Sequence, residues 1–438
     1  MSSEYFARRQ ALLNAIGHGT AIFTSAPLAT AHNDVEHPFR QYSDFYYLTG
    51  FDEPGAVAVL SPSHDEHQFV LFVRPKDLTA ETWSGRRLGV EAAKAKLGAD
   101  EVYSINELNE KLKPYVEKAD RLYYHFGNDR AFDQKVLRLW EGLIRTYTKR
   151  GTGPVAIEDS KLLMQNFRRV KQSSELDLMR RAIEITAKAH NHARDIARPG
   201  RHEYEIQAEM EHIFRLEGGM GPAYPSIVAS GDNACILHYI ENNRQMQAGD
   251  LLLIDAGCAY HYYNADITRT FPVGGKFSDE QRVIYELVLE AQQQAMTKVQ
   301  PGQPFNAFHD AAVQTITEGL VELELLVGKV DQLIEDKKYK AFYMHGTGHF
   351  LGLDVHDSGI LRNPDKTWKP FQAGNVVTVE PGIYIAPEYQ PEEGQPEVDE
   401  RWRGIGVRIE DDVLVTETGQ EVLTAAVPKQ LEDMERSL

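Results

Sequence analysis

The chain contains a copy of part of itself. The segment Gln247-Ala248-Gly249-Asp250-Leu251-Leu252-Leu253-Ile254-Asp255-Ala256-Gly257 parallels Gln372-Ala373-Gly374-Asn375-Val376-Val377-Thr378-Val379-Glu380-Pro381-Gly382. In each, Gln-Ala-Gly opens a turn and a β-rich run follows. A carboxylate, Asp255 or Glu380, stands six residues after the first glycine and shortly before a second. Upstream, Arg198-Pro199-Gly200 and Gln300-Pro301-Gly302 each punctuate two helical stretches. Residues 171–438 therefore read as two related α+β halves, each delivering an acidic residue from the end of a strand.

At 438 residues the chain exceeds the ~250–300 at which single cores stop growing. Two domains are expected, 1–170 and 171–438. In the first, Ala56–Leu60 and Phe69–Val73 read as buried strands, and Gly89–Leu97 and Ile105–Leu112 as helices, which predicts an α/β domain. It shows no catalytic constellation. Arg86-Arg87 near Trp83 reads either as an interface or substrate contact or as a solvated loop. Ser173 or Ser174 is expected to cap a helix running to about Ile196, with Leu176, Met179, Ile183 and Ile185 as its apolar stripe.

The net charge of −18 repels phosphate backbones and anionic lipid, so neither nucleic acid nor membrane is an expected partner. No run of ~18 apolar residues occurs. The first residues lack an apolar signal-peptide core. Two cysteines, Cys235 and Cys258, make no disulfide scaffold, and a cytoplasmic, reducing location is expected.

The chemistry concentrates in the second domain. Leu251–Tyr260 and Tyr262–Phe271 read as a hairpin centred between Tyr260 and His261, which would set Asp255 directly opposite Asp266. Facing carboxylates repel, so one is protonated or a cation lies between them; two solvated aspartates is the plainer alternative. His345, His349 and His356 fall within twelve residues, among glycines that disfavour a helix and suit a loop into a cleft. Glu380 ends an apolar strand and should be buried. Period 2 puts Gly406, Arg408 and Glu410 on one face, with Arg408 the expected partner of Glu410 and Asp411 and Asp412 more exposed. Four carboxylates and one imidazole suit Mn²⁺, and also Co²⁺, Zn²⁺ or Fe²⁺, and are enough for two metals ~3.5–4 Å apart.

These segments resemble the aminopeptidase P branch of the creatinase/methionine aminopeptidase, or pita-bread, superfamily. The resemblance rests on Ile236-Leu237-His238-Tyr239, Asp255-Ala256-Gly257, Asp266–Pro272, His345–Asp357, Val379-Glu380-Pro381-Gly382 and Gly404–Asp412. It extends to Arg40–Phe51 and Trp83–Gly89. It implies a creatinase-type α/β N-terminal domain, and a pita-bread C-terminal domain with an internal pseudo-twofold repeat. It implies two divalent ions, Mn²⁺ foremost with Co²⁺ or Zn²⁺ as alternatives. The ligands would be Asp255, Asp266, His349, Glu380 and Glu410. His238, His345 and His356 would be active-site histidines that bind substrate, His238, His356 and Glu380 would act in catalysis, and Arg408 would support Glu410. Substrates would be peptides with proline at the second position, and the assembly a homo-oligomer, dimer or tetramer. Asn264-Ala265 replaces a small, glycine-containing stretch. The rival readings are a prolidase confined to Xaa-Pro dipeptides and a non-catalytic binding protein on the same fold; the complete ligand set disfavours the latter.

Overall fold

A computed structural model describes residues 2–435, so the outermost ends of the two expected domains, Met1 and 436–438, lie outside the described residues. It divides into two compact units, Met1–Met164 and Gln165–Leu438.

The first unit is built on a six-stranded sheet ordered Glu101–Ser104, Phe69–Val73, Val57–Leu60, Thr20–Thr24, Leu122–Tyr123 and Ile157–Glu158. The Val57–Leu60 strand is antiparallel to both neighbours, and the outer pairs are parallel. Val57–Leu60 and Phe69–Val73 are buried along their whole length, as unbroken apolar runs require. Gly89–Leu97 is helical. Ile105–Leu112 begins instead with a 3₁₀ turn, Ile105–Glu107, because Ser104 and Glu107 form a capping box there; the α-helix covers only Leu108–Lys111. Trp83 and Arg86 lie exposed, in and just after a short helix, Leu78–Ser84, that buries none of its residues.

The second unit carries the repeat. Helices Ser173–Ile196 and Glu203–Leu216 precede strands Ile227–Ser230, Leu251–Asp255 and Thr268–Pro272. Helices Asp279–Met296 and Ala307–Glu322 precede Val376–Val379, Gly382–Ile385, Ile405–Arg408 and Asp411–Val415. All four helices and both strand sets share one core, with Ile185, Phe214, Leu252, Val288, Phe308 and Val407 among its residues. The first helix is capped by Gln172 rather than by a serine. Its side chain and that of Glu175 form a reciprocal capping box, which moves Ser173 inside the helix.

The first hairpin turns one residue later than expected, at His261-Tyr262, so Asp255 pairs with Thr268 and not with Asp266. Both turn residues have positive φ, 46° and 72°. That backbone costs roughly 1–2 kcal/mol per residue. Tyr262 and Tyr263 are buried, and each buried ring returns ~1.5–3 kcal/mol, so burial selects the turn.

In the second half Val379 pairs with Asp411 and Gly382 with Arg408 in one continuous register. Glu380 therefore falls opposite Glu410. Pro381 offers no N–H, which splits the ribbon at this point. The halves join where the Glu410 N–H donates to the Thr268 carbonyl at 3.0 Å. Among the described residues no helix is long and apolar enough to cross a membrane.

Candidate metal centre

The repeat brings its acids to this junction. Asp255 ends its strand. Asp266 lies opposite Gly257, flanked by the Ala256 N–H to Ile267 carbonyl and Ala265 N–H to Cys258 carbonyl bonds. A Cβ on Gly257 would sit 1.7 Å from the Ala265 carbonyl oxygen, so only glycine lets the backbone close here. The two aspartates converge through their side chains rather than by direct cross-strand pairing. Tyr224 Oη stands 2.6 Å from Asp255 Oδ1 and 2.5 Å from Asp266 Oδ1. One hydroxyl proton serves one carboxylate at a time, so a proton or a cation must relieve the other.

His349 faces the same acids. Its loop presses on the Val376–Val379 strand so closely that a Cβ on Gly348 would meet the Thr378 carbonyl oxygen at 2.0 Å. His349 Nδ1 lies 3.0 Å from the Phe350 carbonyl, which can only accept, so Nδ1 carries the proton. Nε2 then points at Asp266 Oδ2, 3.5 Å away, and Glu380 Oε1, 3.6 Å away. These gaps are too long for good hydrogen bonds. Nε2 and two carboxylates around one small space call for a proton or a cation between them, and a cation takes the Nε2 lone pair once that proton leaves. One ligand atom from each of Asp266, His349 and Glu410 lies within 4.8 Å of the others.

The electrostatics agree. Burial, joined by the charges of Asp266, Glu380 and Asp255, drives the Glu410 carboxyl well above its ordinary range. Burial lifts Glu380 to about 7, against the pull of His349. Burial also raises Asp255, opposed by Arg408. Burial disfavours the His349 imidazolium, yet Asp266 and Glu380 draw its pKa up to about 9. Carboxyls that hold protons at neutral pH are poorly solvated and poorly paired, and divalent cations with oxygen-rich coordination fit that donor set.

Arg408 departs from expectation. It donates to Asp255 Oδ2 at 2.6 Å, to the Tyr384 hydroxyl at 2.9 Å and to Thr268 Oγ1 at 3.2 Å, not to Glu410. The guanidinium reaches across to the first half, and the short Thr268 side chain occupies the place beside Glu410, donating to Oε2 at 2.6 Å. Asp411 and Asp412 are also not exposed; both are fully buried. Asp411 is held by Arg269 at 2.8 Å and Lys429 at 2.5 Å, and these cations overcome burial to depress its pKa. Asp412 Oδ2 accepts the Asp266 N–H at 3.1 Å.

The three other histidines gather around the centre. His356 packs its ring 4.3 Å from that of His349 and is itself exposed. His238 is exposed and close enough for its charge to bear on His345 and His356. His345 is enclosed: Nδ1 meets the Gly346 carbonyl at 2.7 Å and Nε2 the Tyr384 hydroxyl at 2.8 Å, and burial pushes its pKa down to about 3. Sequence reasoning missed Tyr224, Thr268 and Tyr384. Thr268 follows Asp266, and Tyr384 follows Glu380 and Gly382, at strand period, a signal that was available. Tyr224 sits in a loop before Pro225, where spacing carries nothing.

Comparison with known proteins bears on the same residues. The model for metallopeptidase family M24 matches residues 177–417, and that for the aminopeptidase P N-terminal domain matches 5–124. The chain is 45% identical to the Xaa-Pro aminopeptidase of Escherichia coli, covering 99% of this chain and 96% of that protein. The solved structure of the aminopeptidase PepP of Pseudomonas aeruginosa superposes with a TM-score of 0.93 at 46% identity, over 99% of this chain and 97% of that one. Zinc-substituted E. coli aminopeptidase P in complex with product gives 0.92 at 44%, over the same shares.

Proposed function

Since the chain belongs to metallopeptidase family M24 and is a metal-dependent exopeptidase, we propose that it removes the N-terminal residue from peptides whose second residue is proline. The observation that carries the reading is the inward-facing His349 Nε2 among Asp266, Glu380 and Glu410.

In this reading Asp255, Asp266, His349, Glu380 and Glu410 hold two divalent ions, Mn²⁺ foremost and Co²⁺ or Zn²⁺ alternatively. Such ions supply an anchor for the substrate's free α-amino group and bring a water's pKa toward neutrality. The protein's own groups do the rest. His238 and His356, both exposed, hydrogen-bond the scissile carbonyl as its oxygen gains charge, an effect worth ~3–4 kcal/mol for such donors. Glu380 takes the proton and delivers it to the proline nitrogen, which is a poor leaving group until protonated. Arg408 fixes Asp255 and, through Tyr384, sets His345, whose ring nitrogens are both spent inside the protein. His345 thus shapes the substrate pocket rather than donating to the substrate.

The exposed Leu78 and Trp83 support a homo-oligomer, dimer or tetramer, and the two free cysteines support a cytoplasmic setting. Cleavage of an Xaa-Pro-Xaa tripeptide, alongside the matching Xaa-Pro dipeptide, tests the specificity. Turnover of the tripeptide is expected, and turnover confined to the dipeptide would overturn the assignment in favour of a prolidase.

A further inference from the structure

Away from the metal centre, one carboxylate among the described residues is fully buried without a cation bonded to it. Glu203, the first residue of the helix Glu203–Leu216, has no solvent exposure. Such a group is tolerated only when its oxygens are saturated with donors. Oε1 accepts from the Ser230 N–H at 2.7 Å, the Ser230 hydroxyl at 2.7 Å and the Asn233 amide at 3.2 Å. Oε2 accepts from the Tyr239 hydroxyl at 2.8 Å and the Arg244 N–H at 2.8 Å. The helix N-terminus adds its partial positive charge. The Arg244 guanidinium is engaged elsewhere, on Asp250 and Ser230.

All five donors come from one loop. Ser230 ends the strand that enters it, Asn233 lies in its 3₁₀ turn, and Arg244 closes it, with the Glu203 N–H donating back to the Arg244 carbonyl at 3.0 Å. Tyr239 is the neighbour of His238 and is buried while His238 is exposed. One carboxylate thus gathers five donors from along the loop, beside the separate anchors of Asn242 on Val228, Ser226 and Gln207, and the bond nearest the exposed histidine is the one from Tyr239.

We propose that Glu203 is a positioning residue for catalysis, clamping the Ser230–Arg244 loop so that His238 meets the scissile carbonyl. The inference rests on the reading of His238 as a substrate contact. A glutamine at 203 must turn an NH₂ toward either the Ser230 side or the Tyr239 side, setting donor against donor, and the clamp loosens on that side.

The test is a double-mutant cycle on the Mn²⁺-loaded enzyme with an Xaa-Pro-Xaa tripeptide, reading kcat, KM and bound Mn²⁺. H238A is expected to lower kcat roughly 100-fold. E203Q is expected to lower kcat about 10-fold, with KM and Mn²⁺ content unchanged. The E203Q/H238A double variant should be no slower than H238A alone, because Glu203 acts through His238. Y239F, a milder cut at the same tether, should lose less and show the same non-additivity; it decides the matter if E203Q does not fold. Multiplying losses in the double variants, Mn²⁺ loss in E203Q, or wild-type kcat in both E203Q and Y239F would overturn the proposal. Full activity in H238A would instead remove the reading of His238, and the proposal with it.

Discussion

Glu380 and Glu410 stand opposite each other across one antiparallel ribbon, in the register that pairs Val379 with Asp411 and Gly382 with Arg408. Each is largely enclosed; burial raises both carboxyls, and the Glu380 charge adds to the rise of Glu410. No strand pair keeps two such acids opposed without a bound cation or proton between them. If Glu380 also carries the proton to the leaving nitrogen, E380Q should cut kcat by at least roughly 100-fold while KM changes little. Steady-state kinetics on a tripeptide would show it, and a wild-type kcat would remove Glu380 from that role.

The stripped enzyme should respond to pH in an unusual direction. Burial raises the folded Glu380 pKa to about 7, above an unfolded value near 4.3. The folded chain therefore binds the extra proton between those values, and stability falls as pH rises through them. His349, raised to about 9, contributes stability below its unfolded pKa near 6.5 and loses it as pH climbs to 9. Both act with the same sign. Thermal unfolding of chelator-treated protein should show Tm falling from about pH 5 to 9, and Mn²⁺ should flatten that slope. A flat profile without metal would contradict the charge balance described.

Gly257 is predicted to be intolerant of any side chain. With a Cβ 1.7 Å from the Ala265 carbonyl oxygen, G257A must push the backbone beside Asp266 away. Metal affinity should drop by roughly 10–100-fold, as when a ligand's support is disturbed. Isothermal titration with Mn²⁺ would measure it; unchanged affinity would mean the hairpin absorbs the methyl elsewhere.

Asp357 adjoins His356 and is buried against Lys171 Nζ at 2.9 Å and Arg168. D357A strands the buried Lys171 ammonium and leaves Arg168 with Asp354, 2.6 Å away, and a cost of about 3–5 kcal/mol is expected. Chemical denaturation would record it.

Much of this was legible in the sequence, for identifiable reasons. The repeat predicted two α+β halves because helix punctuation and strand-end acids recur at matching offsets, and those signals are local. Asp255, Asp266, Glu380 and Glu410 stand out as acids in or beside apolar runs, which demand partners, and His349 as one of three histidines in a glycine-rich loop; the resemblance singles these five out as a ligand set. Register was not legible: the hairpin turned at His261-Tyr262 because buried tyrosines outweigh backbone strain, a balance only tertiary packing sets. Arg408 was assigned to its strand neighbour Glu410, yet a long guanidinium chose Asp255 in the other half. Asp411 looked exposed only because Arg269, Gln292 and Lys429, which bury and satisfy it, are distant in the chain.

The most direct test of the central claim is metal stoichiometry coupled to turnover. Stripped enzyme, titrated with Mn²⁺ while tripeptide hydrolysis is followed, should regain activity as two ions bind per chain. D266A and E410A should bind fewer ions and stay inactive. Full turnover in either variant, or in metal-free protein, would contradict the account.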